Sequence, residues 1–307
     1  MRFMVIVKAS ADSEAGKMPS EQQFAAMGAY NQELIKAGMM LAGDGLKPSA
    51  KGMRVRQSGP QKKITVVDGP FAEARELVGG FWLISAKSKA DAVDWMKRAP
   101  FDDAEIELRQ LYELSDFPVD ANEPPPGDAG WRDQEQRFRD AADAAATGSA
   151  PPPVARKPGT TRYLVMLRSD QGTESGVLPG PEALARMGAL MEEMVQKGAV
   201  LGGEGLKPSA SGARIRFQGG RRTVIDGPFS ETKELIAGYT LIQVATREEA
   251  IDFARRWVEI HTEVTDKTDG ELEIRPMLEL EDYPVRPEEK PDGWRHQEQT
   301  FREKSGT

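Results

Sequence analysis

Carboxylates and arginines, each occurring in duplicate, are the residues of this chain best suited to chemistry. Asp68 opens Asp68-Gly69-Pro70-Phe71, and Asp226 opens Asp226-Gly227-Pro228-Phe229. As ligand anchors or catalytic general bases, Asp68 and Asp226 would line a cleft between two units. A general base there would need its pKa raised by burial or by a neighbouring carboxylate. The same residues also make a turn, because Asp accepts backbone N–H bonds, Gly permits positive φ and Pro fixes φ next door. Turn chemistry is the ordinary account and catalysis the sharper one. Asp44 and Glu204 occupy matching places between glycines, which let a backbone approach a ligand closely or simply form an irregular loop. Glu76 and Glu234 follow the turn closely, so each could share a pocket with its Asp for acid/base work or a divalent cation. Arg54 with Arg56, and Arg214 with Arg216, stand at alternate strand positions and so share a face. They could grip a carboxylate or phosphate. A solvated strand face that blunts edge pairing is the ordinary account. The ligand-binding candidates are thus Asp44, Glu204, Glu76, Glu234, Arg54 and Arg214.

Other chemistries are thinly supplied. Cysteine is absent, which excludes thiolate nucleophiles, disulfides and Cys-ligated metals. The two histidines are His261 and His296. His261 lies in an insertion found only in the second half and reads as a surface residue, and His296 reads as solvent-facing. No phosphate-binding loop, dinucleotide fingerprint or metal-ligand spacing occurs, so no cofactor and no metal are expected. A net charge of -8 argues against nucleic acid or an anionic membrane as partner. The opening apolar run, Phe3 to Val7, is too short for a membrane span or a signal-peptide core, which leaves the cytoplasm as the default location.

The duplication extends to everything that must position these residues. Leu41-Ala42-Gly43-Asp44-Gly45-Leu46-Lys47-Pro48-Ser49-Ala50 returns as Leu201-Gly202-Gly203-Glu204-Gly205-Leu206-Lys207-Pro208-Ser209-Ala210. Glu76-Leu77-Val78-Gly79-Gly80-Phe81 returns as Glu234-Leu235-Ile236-Ala237-Gly238-Tyr239, and a tail starting Gly130-Trp131-Arg132 returns as Gly293-Trp294-Arg295. Trp131, Phe138, Trp294 and Phe301 read as apolar anchors docking these tails. The chain is one module written twice: unit 1 over 1–140, a Pro/Ala-rich spacer over 141–160, and unit 2 over 161–307. Within a unit the pattern predicts a buried strand from Phe3 and a helix capped by Ser20 and stopped at Gly38. A short strand then ends near Gly43, and a hairpin spans 53–67. A strand at 81–86, a helix capped by Ser88 and a last strand from Glu105 follow. In unit 2, Thr246 and Glu249 form a capping box.

The order β-α-β, hairpin, β-α-β predicts an α+β fold of two ferredoxin-like (split βαβ) units, each with an inserted β-hairpin. Both helices on one face leave the other face bare, and the second copy is the obvious cover. The expectation is two units packed sheet to sheet as an intrachain pseudo-dimeric α/β barrel. The Asp-Gly-Pro-Phe turn, the upstream Gly-Asp/Glu-Gly-Leu-Lys-Pro and the downstream Glu-Leu-Val/Ile-x-Gly-Phe/Tyr together resemble the YCII-related family, in its DGPF-domain branch. That resemblance implies a dimeric α/β barrel of ferredoxin-like units. Some YCII relatives are small-molecule enzymes using a His-Asp pair, but His261 and His296 do not fall near the first strand or first helix, where those relatives carry theirs. Two functions follow. One is a small-molecule binding protein, or an acid/base enzyme, with an acidic cleft near the Asp-Gly-Pro-Phe turns. The other, implied by the resemblance, is a regulatory protein partnered with an extracytoplasmic-function sigma factor. The internal pseudo-dimer also leaves room for further self-association.

Overall fold

The computed structural model describes residues 1–72, 77–117, 157–230, 235–264 and 267–282, with 140 and 144. Glu76, Glu234, His296, most of the spacer and both Gly-Trp-Arg tails lie outside these described residues.

Unit 1 runs β1 (Arg2–Lys8), α1 (Glu21–Lys36), β2 (Met40–Gly45), β3 (Met53–Ser58), β4 (Lys63–Asp68), β5 (Val78–Ser85), α2 (Lys89–Met96) and β6 (Asp103–Gln110). Unit 2 repeats this as β7 (Thr161–Arg168), α3 (Pro181–Gln196), β8 (Val200–Gly205), β9 (Ala213–Gln218), β10 (Arg221–Asp226), β11 (Ile236–Val244), α4 (Arg247–Val264) and β12 (Gly270–Pro276). The expected caps are present. Ser20 accepts from Gln23 N–H, Ser88 accepts from Asp91 N–H, and Thr246 accepts from Glu249 N–H. Each satisfies a helix-start donor that has no partner inside the helix. Gly38 and Gly198 stop α1 and α3 in the left-handed region, at φ +67° and +61°.

Two six-stranded sheets result, ordered β10-β9-β6-β1-β5-β2 and β4-β3-β12-β7-β11-β8. Within each, β6-β1-β5-β2 or β12-β7-β11-β8 is the antiparallel ferredoxin-like order. The hairpins are exchanged. The unit 1 hairpin, β3-β4, joins the unit 2 sheet along β12, and the unit 2 hairpin, β9-β10, joins the unit 1 sheet along β6. Neither unit therefore completes its sheet with its own strands.

The run Phe3 to Val7 is continuously apolar because both faces of β1 are covered. Phe3 and Val5 pack beneath the unit 1 helices with Ile215 and Phe217 of the exchanged hairpin. Met4 and Ile6 point the other way, against Leu164 and Met166 of β7, in a cluster shared by the two sheets. Tyr163 and Val165 complete the pattern beneath the unit 2 helices, with Met53 and Val55 of the other hairpin. The two units thus meet sheet to sheet. Among the described residues, no helix is long and apolar enough to cross a membrane.

Candidate functional site

The Asp-Gly-Pro-Phe segments close the base of each exchanged hairpin. A Cβ on Gly69 would lie 1.9 Å from the Ser49 carbonyl oxygen, and one on Gly227 would lie 1.8 Å from that of Ser209. Only glycine fits so close an approach. The following peptides, Gly69-Pro70 and Gly227-Pro228, are cis. Phe71 N–H then donates to the Ser49 hydroxyl at 3.3 Å, and Phe229 N–H to that of Ser209 at 3.1 Å. Each Phe ring lies against an arginine, Arg54 at 4.0 Å and Arg214 at 4.2 Å. The Asp68 and Asp226 side chains are 71% and 74% exposed and pair with Arg247 and Lys89 at the start of α4 and α2. They stand at the outer edges of the sheets, where the carboxylates face solvent.

Arg54 is buried and Arg214 nearly so, which corrects the solvated strand face expected for them. Arg56 and Arg216, the next positions on that face, are exposed. The reason is the hairpin exchange, which sets Arg54 beside Glu273 at 2.9 Å and Arg214 beside Glu107 at 2.9 Å, across the unit boundary. Glu273 also meets Arg168 and Arg275; Glu107 also meets Lys8 and Arg109. Burial by itself would raise both carboxyls, but the surrounding cations outweigh it and hold them below the usual range. Arg275 and Arg109 continue to Glu14 and Glu174, which accept from the Ser49 and Ser209 backbones. Reading the sequence for repeated motifs missed Glu107 and Glu273. The signal was there in Glu107-Leu108-Arg109 and Glu273-Ile274-Arg275, a charge pair matched between the two copies.

Asp44 and Glu204 serve a second pair of ion clusters across the unit boundary. Arg162 reaches both oxygens of Asp44, at 3.0 and 3.1 Å, and also binds Glu279. Arg2 reaches Glu204 at 2.6 Å and Glu113 at 2.7 Å.

The cavity lies elsewhere. About 650 Å³ opens between α3 and the unit 2 sheet. Leu184, Met187 and Met191 wall it from the helix, and Val165, Thr240 and Leu272 from the sheet. Glu204 borders it at the β8 edge, and Tyr112, Leu114 and Phe117 reach it from unit 1. Asp44, Asp68, Asp226, Arg54 and Arg214 do not line it. Its far end carries His261 and Lys267. His261 is 6% exposed, correcting its expected surface position: α4 runs for 18 residues where α2 runs for 8, and the added turns fold back over the sheet. Burial, helped by the Lys267 charge and opposed by Asp170, pushes the imidazole down to about 4. It is therefore neutral at pH 7, able to donate from one ring nitrogen and accept at the other. Lys267 forms an ion pair with Asp170. Burial would raise the Asp170 carboxyl, but this pair and the Thr173 N–H keep it below the usual range. Among the described residues, no group of three or more His, Asp or Glu is placed to hold a metal ion.

Comparison with known proteins agrees with the duplication. An uncharacterised protein of Rhizobium meliloti (strain 1021) is 34% identical over 117 residues, 38% of this chain and 90% of that relative. One module of this chain thus corresponds to nearly all of that protein. The model of the YCII-related domain matches twice, over residues 1–115 and 161–267, and the chain belongs to the YCII-related family.

Proposed function

We propose that this chain is a small-molecule binding protein whose site is the helix–sheet cavity of unit 2. The observation that carries this reading is the cavity itself, about 650 Å³ and lined mainly by apolar side chains with a few polar groups among them. Those are the usual features of a ligand pocket, in which apolar surface supplies affinity and sparse polar groups fix orientation. The ligand is a mainly apolar molecule with a polar end. At the α4 end the polar partners are a neutral imidazole and a lysine already paired with Asp170, which favours a hydrogen-bonding group over a strongly charged one. At the β8 end Glu204 is compensated by Arg2. This reading differs from the acidic cleft expected near the Asp-Gly-Pro-Phe turns. If the site also does acid/base chemistry, the group to perform it is His261.

The test is a thermal-shift screen of small apolar metabolites on the wild type and on Leu184→Trp, which fills the cavity from α3. A ligand held only by the folded state adds about 2.7 kcal/mol at one hundred times its Kd. The expected result is a stabilising compound whose effect disappears in Leu184→Trp. A compound that stabilises both proteins equally binds elsewhere and refutes this site.

A further inference from the structure

The chain carries an internal control for its own cavity, because unit 1 has the same helix–sheet space and fills it. Trp82 pairs across β2 with Gly43, and its counterpart Thr240 pairs across β8 with Gly203. The Trp82 indole lies under α1, where its N–H donates to Asn31 Oδ1 at 3.0 Å. A Cβ on Gly43 would be 2.8 Å from the indole Cδ1, so glycine at that place leaves room for the ring. Tyr30 stands edge-on to Trp82 at 6.3 Å, Phe101 edge-on to Trp82 at 6.1 Å, and Phe217 edge-on to Phe101 at 5.3 Å.

The unit 2 interior holds a non-aromatic residue at every place of this aromatic stack. Tyr30 and Leu190 hold the same place in α1 and α3. The pairings Val7–Ile106 and Leu167–Leu272 align β6 with β12, which equates Phe101 with Lys267. Phe217 opposite Ala104 corresponds to Gln57 opposite Gly270. The four aromatics are thus answered by Leu190, Thr240, Lys267 and Gln57, and Asn31 by Met191. Thr240, Lys267, Met191 and Gly203 are walls of the cavity. Much of the cavity is therefore the place an indole and its ring neighbours occupy in the other copy, with a glycine on the neighbouring strand in both.

We infer that the unit 2 cavity takes a planar aromatic ligand of about two fused rings, seated on Gly203 and Thr240 where unit 1 seats its own indole. This rests on the reading of the cavity as a small-molecule site and narrows its ligand class. The rings lie between β8 and Met191, whose thioether suits contact with an aromatic face or edge. The polar substituent points toward Lys267 and His261, which stand at the end that Phe101 closes in unit 1. Unit 1 is the sealed copy and adds Tyr112, Leu114 and Phe117 to the border of the open one.

The experiment is calorimetric titration of the full chain with 2-naphthol and with its saturated analogue decahydro-2-naphthol. These share a skeleton and a hydroxyl but differ in flatness. The expected result is one 2-naphthol per chain, bound at least ten-fold more tightly than the saturated analogue. Thr240→Trp should abolish that binding while keeping the wild-type melting temperature. If that variant fails to fold, Leu184→Trp fills the cavity from the opposite wall and carries the same expectation. Equal binding of both probes overturns the aromatic inference and leaves the small-molecule reading standing. Binding of neither probe overturns the aromatic inference alone when the metabolite screen gives a cavity-dependent hit, and both readings when it gives none.

Discussion

The two helix–sheet interiors of this molecule have diverged, while the charge clusters that join the units have not. In the unit 1 interior, Tyr30, Trp82 and Phe101, with Phe217 of the exchanged unit 2 hairpin, fill the space beneath the helices with edge-on rings. In the unit 2 interior the corresponding places hold Leu190, Thr240, Lys267 and, from the exchanged unit 1 hairpin, Gln57, and Thr240 and Lys267 border open volume. Each buried carboxylate, Glu107 or Glu273, still keeps three cationic partners in matching positions. Duplication allows one copy to give up a site only where giving it up does not loosen the assembly. What both copies kept is the charge network around the exchanged hairpins, and what one copy changed is the packing between helix and sheet, where the open volume lies.

The sharpest way to break this comparison is to attack what the copies share. Glu273→Gln leaves Arg54, Arg168 and Arg275 buried without their common carboxylate, and removing one partner of a buried ion cluster costs about 3–5 kcal/mol. Glu107→Gln should cost a similar amount by denaturant unfolding, since its setting is the same. A large loss in one and none in the other would show that the two clamps are not equivalent. Trp82→Ala should cost about 3–5 kcal/mol, as expected for a large buried aromatic replaced by a cavity. Free indole in the medium should restore part of that loss, because it can occupy the vacated space. Thr240→Ala should change stability by less than about 1 kcal/mol, since that wall already faces open volume. Comparable losses at Trp82 and Thr240 would remove the distinction between a filled copy and an open one.

Much of the fold was legible in the sequence because it rests on local signals. Ser20, Ser88 and Thr246 mark helix starts, Gly38 and Gly198 mark helix stops, and the Phe3–Val7 run marks a strand covered on both faces. The hairpin exchange was not legible. The alternation of Arg54 and Arg56 fixes which face they share, but not whose sheet that face joins, and β12 or β6 would accept the hairpin by the same backbone pairing. That one ambiguity turned a buried salt-bridge network into an expected solvated face. The candidate acids were found as motifs, and the structure assigns Asp44 and Glu204 to ion pairs between the units. The cavity was one comparison further along the same repeat. Matching Phe81 with Tyr239 stopped one residue short of Trp82 and Thr240, and a tryptophan answered by a threonine on a buried strand is the mark of lost volume. His261 was misplaced because an insertion without a counterpart reads as a surface loop unless its helical period is followed to the end of α4.

The pH response sharpens the comparison from another side, since unit 1 contains no histidine. His261 is held down to about 4 in the folded chain and returns to about 6.5 when unfolded. The unfolded state therefore binds the extra proton between those values. Stability from this group is fully present above about pH 6.5 and is lost as pH falls toward 4, to a total of up to about 3 kcal/mol. His261→Gln should flatten the stability profile between pH 6.5 and 5. Glu107 and Glu273, held below the ordinary carboxylate range, act only at lower pH. An unchanged slope in that variant would mean that the imidazole is not shielded from water in the cavity wall.

The smallest expected effect falls on the residues that most invited a catalytic reading. Asp68 and Asp226 are mostly exposed, and each pairs with one cation at a helix start. Exposed pairs of this kind contribute about 0–1 kcal/mol because water and salt screen them. Asp68→Asn and Asp226→Asn should therefore unfold within about 1 kcal/mol of the wild type and bind cavity ligands with unchanged Kd. Gly69→Ala and Gly227→Ala, one residue away, should destabilise far more, because the added Cβ meets a carbonyl oxygen at under 2 Å. The contrast separates two roles that the motif fuses in sequence, a glycine that must be there for the hairpin to close and an aspartate whose charge faces solvent. Loss of cavity binding in Asp68→Asn but not Asp226→Asn would reverse the argument. It would show that the hairpin edge bordering unit 2 communicates with the open copy, and that the turn does more than fasten the hairpin.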